Sequence, residues 1–343
     1  MDVYVLDKSF TPVAVIDSFN SLIWTKRYYK NGDFELYLPA TNSVLNTMKK
    51  DYFLSRDDDD SVMIIESILA TTDAENGDYI TVTGRSLESI LARRIILGQT
   101  IIEADDAVQG LKALVDSQTA GYRGFPNFSV DDSLQIPADY KAQFTGQNLL
   151  DTVSSICEQY QIGMKMTVSN ANIVLSFYAG NDTDVTFSPE FDNIINSQYL
   201  SDSTGLANWA VVAGQGEGKN RIILNVPLDN GLSGFELREI WVDARDISTI
   251  DGTQGGVPQQ DYIEMLYQRG MEKLAEHEVA EAFEAEVNPI STYSYKTDYD
   301  LGDKVIVQNE YGITSNPRVV EITESWDDTG YKVVPTFDTL EVH

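Results

Sequence analysis

Residues 22–39 read LIWTKRYYKNGDFELYLP, two stretches of strand-forming residues on either side of the dipeptide Asn31-Gly32. Asn-Gly tolerates the positive φ angles of a type I′ turn, the tight connection that suits the twist of a β-hairpin. Phe34, Leu36 and Leu38 alternate with more polar neighbours, as in a strand with one buried face. The stretch therefore predicts an antiparallel hairpin near the start of the chain.

A second hairpin is predicted a short distance further on. Residues 62–70 and 79–83 are rich in β-branched and aromatic residues, and Asn76-Gly77 lies between them. Two hairpins within ninety residues predict a small barrel or a strongly bent sheet. Ser86 is then expected to cap a short helix that places Leu87 on its buried face.

The pattern changes to mixed α and β from about residue 99 to residue 182. Asp106 is expected to open a helix, since acidic residues are favoured at a helix N-terminus. Apolar residues recur at helical spacing over residues 149–160, and Gly163 is the expected C-cap of that second helix. Residues 164–177 alternate as a closing hairpin.

A second β-rich region follows Pro189 and contains one long helix, predicted over about residues 258–280 because Pro258 suits a first turn. The chain is thus predicted to be α+β and mainly antiparallel β. We expect a first β-barrel domain at 1–98, an α/β insert at 99–182 and a second β-barrel domain at 183–343 that includes the long helix. That helix could instead pack on the insert, which would make both regions discontinuous.

The charge balance excludes a protein that neutralises phosphates. There are 54 acidic residues against 24 basic ones, a formal net charge of −30, and Lys and Arg are not clustered. Anionic membranes would repel such a chain as well. The charge is equally compatible with simple solubility and with a passage through which nucleic acid slides without sticking. Composition leaves both interpretations open.

No membrane span or secretory signal is expected. The sequence has no run of 18 or more apolar residues, and no basic segment precedes an apolar stretch at the N-terminus. The single cysteine, Cys157, cannot form an internal disulfide and is expected to be a packed thiol, which fits synthesis in a reducing cytoplasm.

The residues that could carry enzyme chemistry form no recognisable set. His343 is the last residue, and His277 lies in a glutamate-rich stretch, so neither a catalytic triad nor a histidine-ligated zinc site is indicated. A nucleophile at Cys157 would lack a general base. The glycine-rich segment 214–219 has the wrong spacing for a phosphate-binding loop, and a strand follows its lysine, so a flexible hairpin loop is expected.

The acidic clusters are expected to be structural. Residues 57–60 are four consecutive aspartates, interpreted as a solvated or lumen-facing loop, and neither they nor residues 298–303 have the spacing of a calcium loop. Asp300 and Asp303 are expected to shape a turn before a strand. Paired carboxylates occur too often by chance to indicate a wall-degrading glycosidase. We therefore predict no catalytic, cofactor-binding or metal-binding residue, and the aromatic residues are assigned to the core and to subunit interfaces.

Five stretches together resemble one family, the siphovirus Gp37-like tail proteins. They occur in the family's order and extend from residue 24 to about residue 337, and none of them is a catalytic motif. The stretches are the hairpin at 24–39, the strand-to-helix junction at 83–96, residues 187–193, residues 241–247 and residues 299–305.

The resemblance implies a tail-hub fold similar to that of the phage Mu baseplate hub. In such hubs two barrel-like domains related to the tail-tube fold lie side by side, so that a trimer presents six similar units to a hexameric ring. Expected partners are two further copies of the chain, a distal tail or tail-tube ring protein, and a tail-tip, receptor-binding or tape-measure protein. DNA would pass through without specific binding.

The expected location is the virion tail, assembled in the bacterial host cytoplasm, of a phage or a prophage. Since the sequence stops directly after its last β segment, any wall-degrading or receptor-binding activity is expected on another subunit. The alternatives are a module that binds a host-surface receptor or carbohydrate, a subunit of a contractile or secretion-type injection device, and a wall hydrolase.

Overall fold

The computed structural model describes residues 1–73, 77–191, 193–229, 231–249, 256–277, 280–287, 293–308 and 314–338. The predicted turn residue Asn76, residues 251–255 of the segment before the long helix, and His343 lie outside the described residues. Within them the structure is mainly antiparallel β, as predicted, and it also contains four α-helices.

The first region is a set of antiparallel strands followed by a 3₁₀ turn at Leu87–Arg93. Its elements are β1 (Val3–Leu6), β2 (Pro12–Ile16), β3 (Ser21–Arg27), β4 (Asp33–Pro39), α1 (Asn42–Thr47), β5 (Phe53–Arg56), β6 (Asp59–Asp73) and β7 (Gly77–Ser86). The predicted hairpin is the β3–β4 pair, with Leu22 opposite Leu36 and Trp24 opposite Phe34. These four side chains are buried in one core cluster.

The middle region combines two small sheets with two helices. Its elements are β8 (Thr100–Asp106), α2 (Ala107–Gln118), β9 (Phe128–Val130), β10 (Pro137–Phe144), α3 (Leu149–Gln159), β11 (Gly163–Ser169) and β12 (Asn172–Tyr178). Strand β10 pairs with β8, and β12 pairs with β11 and β9. The core of this region is continuous with that of the first, because Tyr28 and Tyr29 belong to the same buried cluster as Leu111 and Ile156.

The last region supplies the remaining strands and the longest helix. Its elements are β13 (Asp182–Phe187), β14 (Ile194–Asp202), β15 (Trp209–Ala213), β16 (Ile223–Val226), β17 (Glu239–Asp243), α4 (Gln259–Ala275), β18 (Ala280–Val287), β19 (Lys304–Gln308), β20 (Thr314–Ser315), β21 (Arg318–Asp327) and β22 (Gly330–Asp338). Strands β16, β15 and β17 form a separate sheet that packs on α4.

One large sheet joins the first and last regions. Its strand order is β14-β18-β22-β21-β3-β4-β7-β6-β5-β1-β2, with β19 attached to β21 and in turn pairing with β13 and β20. We call it the shared sheet. No pairing among the described strands closes it into a barrel, so the two predicted β-barrels are not confirmed. The predicted domain boundaries stay predictions.

Helix α4 contacts both its own sheet and the middle region. Gly270 lies against Val212 and Val226, where an added Cβ would approach their methyl carbons to 2.7–2.9 Å. On the other side the Tyr140 hydroxyl donates to Glu272 at 3.3 Å, and both side chains are buried. Burial raises the pKa of Glu272, although Arg269 opposes that shift. The helix therefore bridges the two regions.

Two of the predicted caps are wrong. The Ser86 hydroxyl does not cap the following 3₁₀ turn but accepts a hydrogen bond from the Gly32 N–H at 2.7 Å. Helix α3 is followed by Tyr160 as its C-cap, and Gly163 instead begins β11. An added Cβ at Gly163 would lie 2.3 Å from the Tyr28 ring. That glycine is therefore required by packing between two regions, not by helix termination.

Candidate functional site on the shared sheet

The two β regions meet where β21 pairs with β3. Thr323 lies opposite Thr25 and Ser325 opposite Ile23, and the two threonine hydroxyls are 3.3 Å apart. The pairing is antiparallel and has the same form as the hairpin pairings on either side of it. The surface of the sheet consequently runs without a break from one region to the other.

One side of the shared sheet is polar from β22 to β7 and along the second half of β6, and we call it the open face; at the first half of β6 the core of the middle region covers the same side. Alternation along each strand, together with the register between strands, assigns its members. They are Ile23, Thr25, Arg27, Asp33, Glu35, Tyr37, Glu66, Ser67, Leu69, Thr71, Thr81, Thr83, Arg85, Glu321, Thr323, Ser325, Lys332, Val334 and Thr336. Eight of these nineteen residues are serine or threonine, and Thr25 among them is buried, so small hydroxyl groups are the commonest side chains of the face without forming its majority.

Both arginines of the open face are neutralised within it. Arg27 contacts Asp33 and Glu321, each at 2.5 Å, and the carboxylates hold its pKa above the usual value against the effect of burial. Arg85 forms two hydrogen bonds to Glu66, at 2.7 and 2.8 Å.

The one lysine of the open face, Lys332, also lies near a carboxylate. The pKa of Asp327 is lowered by hydrogen bonds from Thr329 and, more weakly, by Lys332. Among the described residues the open face thus presents no arginine without a carboxylate partner. A phosphate backbone approaching this surface would meet hydroxyls and paired charges.

A buried ion pair fastens the two β regions beneath the open face. The Arg56 guanidinium donates to Glu324 at 3.0 and 3.2 Å, and both side chains are almost fully buried. It lies over the rings of Trp24 and Trp326, at 5.4 and 4.2 Å from their centroids. Burial alone would lower the pKa of Arg56, but its hydrogen bonds to Asp58 and Glu324 raise it.

The aspartate run at 57–60 is solvated at Asp57, Asp58 and Asp60, as the sequence suggested, but not at Asp59. The Asp59 carboxylate is buried and contacts Lys26 at 2.6 Å and Lys296 at 2.7 Å. Burial acts to raise its pKa, but the two lysines outweigh burial and lower it. Lys296 also donates to the Asp58 carbonyl at 2.7 Å, so this run ties the segment before β19 to the first region.

The second acidic cluster has the predicted turn role. Asp303 is buried, and its carboxylate accepts hydrogen bonds from the backbone N–H groups of Asp300 and Asn181, both at 2.8 Å. Within the part of the chain that the structure describes, no group of three histidine, cysteine or acidic side chains is arranged to hold a metal ion.

The other residues considered for enzyme chemistry, namely Cys157, His277 and segment 214–219, form no common site. Cys157 is a buried free thiol, and burial raises its pKa above the usual range. The His277 ring contacts the Lys273 carbonyl at 2.9 Å, one turn earlier in the chain. Segment 214–219 connects the antiparallel pair β15–β16 as predicted, but Gly214 is held against Tyr262, whose hydroxyl accepts from the Gln215 N–H at 2.7 Å.

A second exposed surface lies on the sheet of β15, β16 and β17, opposite α4. Trp241 is 58% exposed there and lies opposite Val211 of β15, and Trp209 is two residues before Val211 on the same strand. The Arg221 guanidinium lies 5.3 Å from the Trp241 ring centroid and donates to Asp243 at 2.8 Å. We call this surface the tryptophan face.

Sequence reasoning missed both the open face and the buried Arg56–Glu324 pair. The sequence did contain a pattern typical of such a face, since Thr81 and Thr83 alternate with the buried residues Ile80 and Val82 in β7. The pair gave no signal, because its members are 268 residues apart. No described helix has the length and apolar character needed to cross a membrane.

The fold is that of prophage tail proteins. The 43 kDa tail protein of prophage MuSo2 from Shewanella oneidensis is similar with a TM-score of 0.60 and 12% identity, over 99% of this chain and 98% of its own. A tail protein from Neisseria meningitidis MC58 is similar with a TM-score of 0.60 and 12% identity, over 98% of this chain and 96% of its own. Prophage tail protein gp18 from Listeria monocytogenes EGD-e is similar with a TM-score of 0.54 and 12% identity, over 100% of this chain and 96% of its own.

The chain belongs to the family described as Siphovirus ReqiPepy6 Gp37-like protein, which matches residues 2–337. The match covers nearly the whole chain and confirms the resemblance drawn from the five sequence stretches. A comparison with curated proteins finds no match.

Proposed function

We propose that the chain is a structural hub subunit of a phage or prophage tail tip. Three copies would form a ring that connects the tail tube, or the distal tail ring, to the tip and leaves a channel for DNA. Membership of a siphovirus family and a fold similar to three prophage tail proteins support this function. The proposed role is non-enzymatic, and the proposed location is the virion tail.

The two β regions would act as two tube-like units placed side by side, at about residues 1–98 and 183–343. The pairing of β21 with β3 supports this arrangement, because it joins the regions edge to edge within one sheet. A trimer would then present six such units. Its proposed partners are a ring protein of the distal tail or tube and a protein of the tip.

The observation that carries the channel proposal is the open face. It extends across both regions, is rich in hydroxyl groups, and holds each arginine against a carboxylate. DNA binding depends on cations that can replace the counterions of the phosphates. A lumen with this surface would let DNA slide past without being held.

The assembly proposal is tested by the absolute mass of the purified protein, measured by light scattering, with negative-stain images of the same peak. A mass of three chains and ring-shaped particles are the expected results. A protein that remains a monomer at high concentration would contradict a self-assembling ring and favour the binding module below.

The channel proposal is tested by adding cations to the open face. The double variant Thr83→Lys with Thr323→Lys should leave the ring intact and give it measurable, salt-sensitive affinity for double-stranded DNA. The matched control places two lysines on the tryptophan face, at Ile223 and Asn225, and changes the charge by the same two units. If both variants bind DNA equally, the open face does not line the passage.

The tryptophan face favours a second candidate, a module that binds a host-surface carbohydrate. An exposed Trp241 ring next to hydrogen-bonding groups such as Asp243 is the surface expected for stacking on a sugar. Wild-type protein should then sediment with cell-wall preparations, and Trp241→Ala should lose that binding. Absence of wall binding by the wild-type protein would eliminate this candidate.

A further inference from the structure

Strand β6 is divided by a bulge into two halves with different neighbours. Residues 59–64 pair with β5 on one side and continue the sheet toward β1 and β2. The register with β7 shifts between Ile65 and Ser67, and bulges of this kind commonly terminate pairing. Beyond it, residues 67–73 pair only with β7 among the described strands. The outer edge of this second half is therefore open.

The opposite end of the shared sheet has a matching open edge. Strand β14 pairs with β18 and, within the described residues, with no other strand. Residues 67–72 and 194–201 are both free of charged residues, in a chain with 54 acidic and 24 basic residues. Exposed edges are normally protected by charge or proline, because a bare edge invites another strand. Both edges lack that protection.

Strand direction determines how two such edges can meet. The eight strands from β14 to β6 are antiparallel to their neighbours throughout, so β14 and β6 run in opposite directions. In a ring whose symmetry axis is parallel to the strands, the rotation that relates one copy to the next leaves the strand direction unchanged. Copies placed side by side in a ring would therefore bring β6 of one against β14 of the next in antiparallel orientation.

The edge of β2 could not pair antiparallel with β14 of the next copy in the same way. Three further antiparallel steps lead from β6 through β5 and β1 to β2, so β2 runs in the same direction as β14. Its edge also begins with Pro12, which lacks a backbone donor. Exposed Val13 and Val15 on β2 thus serve as a comparison for the β6 edge.

We propose that residues 67–72 of β6 in one copy pair antiparallel with β14 of a second copy of this chain. The proposal rests on the proposed ring and specifies its subunit contact. The proposed contact between copies has the same form as the antiparallel pairing of β3 with β21 within the chain. The open face would therefore continue around the whole ring. Because each copy contributes one edge of each kind, the contact is head-to-tail and closes by rotation.

A charged residue on the proposed edge tests the contact. Leu69 is 61% exposed, so Leu69→Lys should leave the thermal stability of the monomer unchanged while reducing the particle mass from three chains to one. Val15→Lys, at a residue that is 50% exposed on β2, is the matched control and should still form rings. Loss of the ring with Val15→Lys but not with Leu69→Lys would overturn the proposal.

Cross-linking tests the pairing directly. The backbone register places Gln198 of β14 in line with Glu284, Thr336 and Glu321 of the neighbouring strands, and positions 196, 198 and 200 sample β14 around that point. Leu69→Cys combined with cysteine at each of these positions in turn should give, for one register, a covalent product that stops at three chains. Buried Cys157 should not contribute, and Val15→Cys in place of Leu69→Cys should give no such product.

The outcomes separate this contact from the ring itself. If the wild-type protein has the mass of three chains, yet no cysteine pair cross-links and Leu69→Lys still assembles, the edge contact is wrong and the ring stands. If the wild-type protein remains monomeric, the ring and the contact both fail.

Discussion

At the scale of single residues, Glu272 has an environment that opposes its charge. It is buried between Tyr140 and Gln268, and burial raises its pKa in the folded state above the usual 4.5. The folded protein then holds a proton more tightly than the unfolded chain, so stability falls as pH rises from about 4.5 through the folded pKa. Glu272→Gln keeps the acceptor oxygen and removes the charge. It should raise the free energy of unfolding at pH 8 by roughly 1 kcal/mol, measured by urea denaturation.

The control for this prediction is Glu217→Gln, which removes an exposed charge from the same region. It should alter neither the stability nor its dependence on pH. A loss of stability in Glu272→Gln at pH 8 would show that the ionised carboxylate is the favoured partner of Arg269.

The Arg56–Glu324 pair gives a second prediction at this scale. Glu324→Ala would leave the buried guanidinium with Asp58 alone and should lower the free energy of unfolding by roughly 3 kcal/mol. The double variant Arg56→Met with Glu324→Leu removes both charges and should recover most of that loss. A double-mutant cycle in urea measures the coupling, and strictly additive losses would contradict it.

At the scale of elements, the start of helix α2 depends on one carboxylate. One Asp106 oxygen accepts from the N–H groups of Val108 at 2.9 Å and Gln109 at 3.0 Å, while the other accepts from Ile136 at 2.5 Å. Asp106→Ala should therefore destabilise the protein by about 1–2 kcal/mol in thermal unfolding. Asp105→Ala, at the exposed neighbour, should have little effect. Equal effects of the two variants would contradict the capping role.

Local elements were predictable where local chemistry decides them. The alternation at Phe34–Leu38 gave the second strand of the first hairpin, and Asp106 gave the start of α2. The type I′ turn predicted at Asn31-Gly32 is wrong, because neither residue has a positive φ and residues 28–32 all lie between β3 and β4. The prediction failed where a distant contact competes with a local one. Glycine is the usual residue after the end of a helix, but Gly163 lies at the start of a strand, where only glycine leaves room for the Tyr28 ring. Serine is a common helix N-cap, but the Ser86 hydroxyl accepts a hydrogen bond from the Gly32 N–H instead.

At the scale of the whole molecule, the arrangement of the candidate site was beyond the sequence. The open face depends on β21 pairing with β3, and Thr323 is 298 residues from Thr25. No periodicity in either strand specifies its partner across that distance. The buried Asp59 illustrates the same limit, because Lys26 and Lys296 come from opposite ends of the chain. A single sequence gave the strands, the family and the charge, but not the surface they form together.

The net charge of −30 makes one further prediction for the assembled molecule. Bringing three such chains together raises electrostatic repulsion, which salt screens as the Debye length falls from about 30 Å at 0.01 M to about 10 Å at 0.1 M. Ring formation at a fixed protein concentration should therefore increase between about 20 and 200 mM sodium chloride, as measured by light scattering.

The uncharged edges at 67–72 and 194–201 explain why association should not be lost as the salt concentration rises further. The proposed strand pairing would depend on backbone hydrogen bonds between two uncharged edges, so it would contain no ion pair for salt to screen. Rings that dissociate as salt is added would instead indicate that ion pairs between subunits hold them together, and the contact would then have to involve charged surfaces outside these two strands.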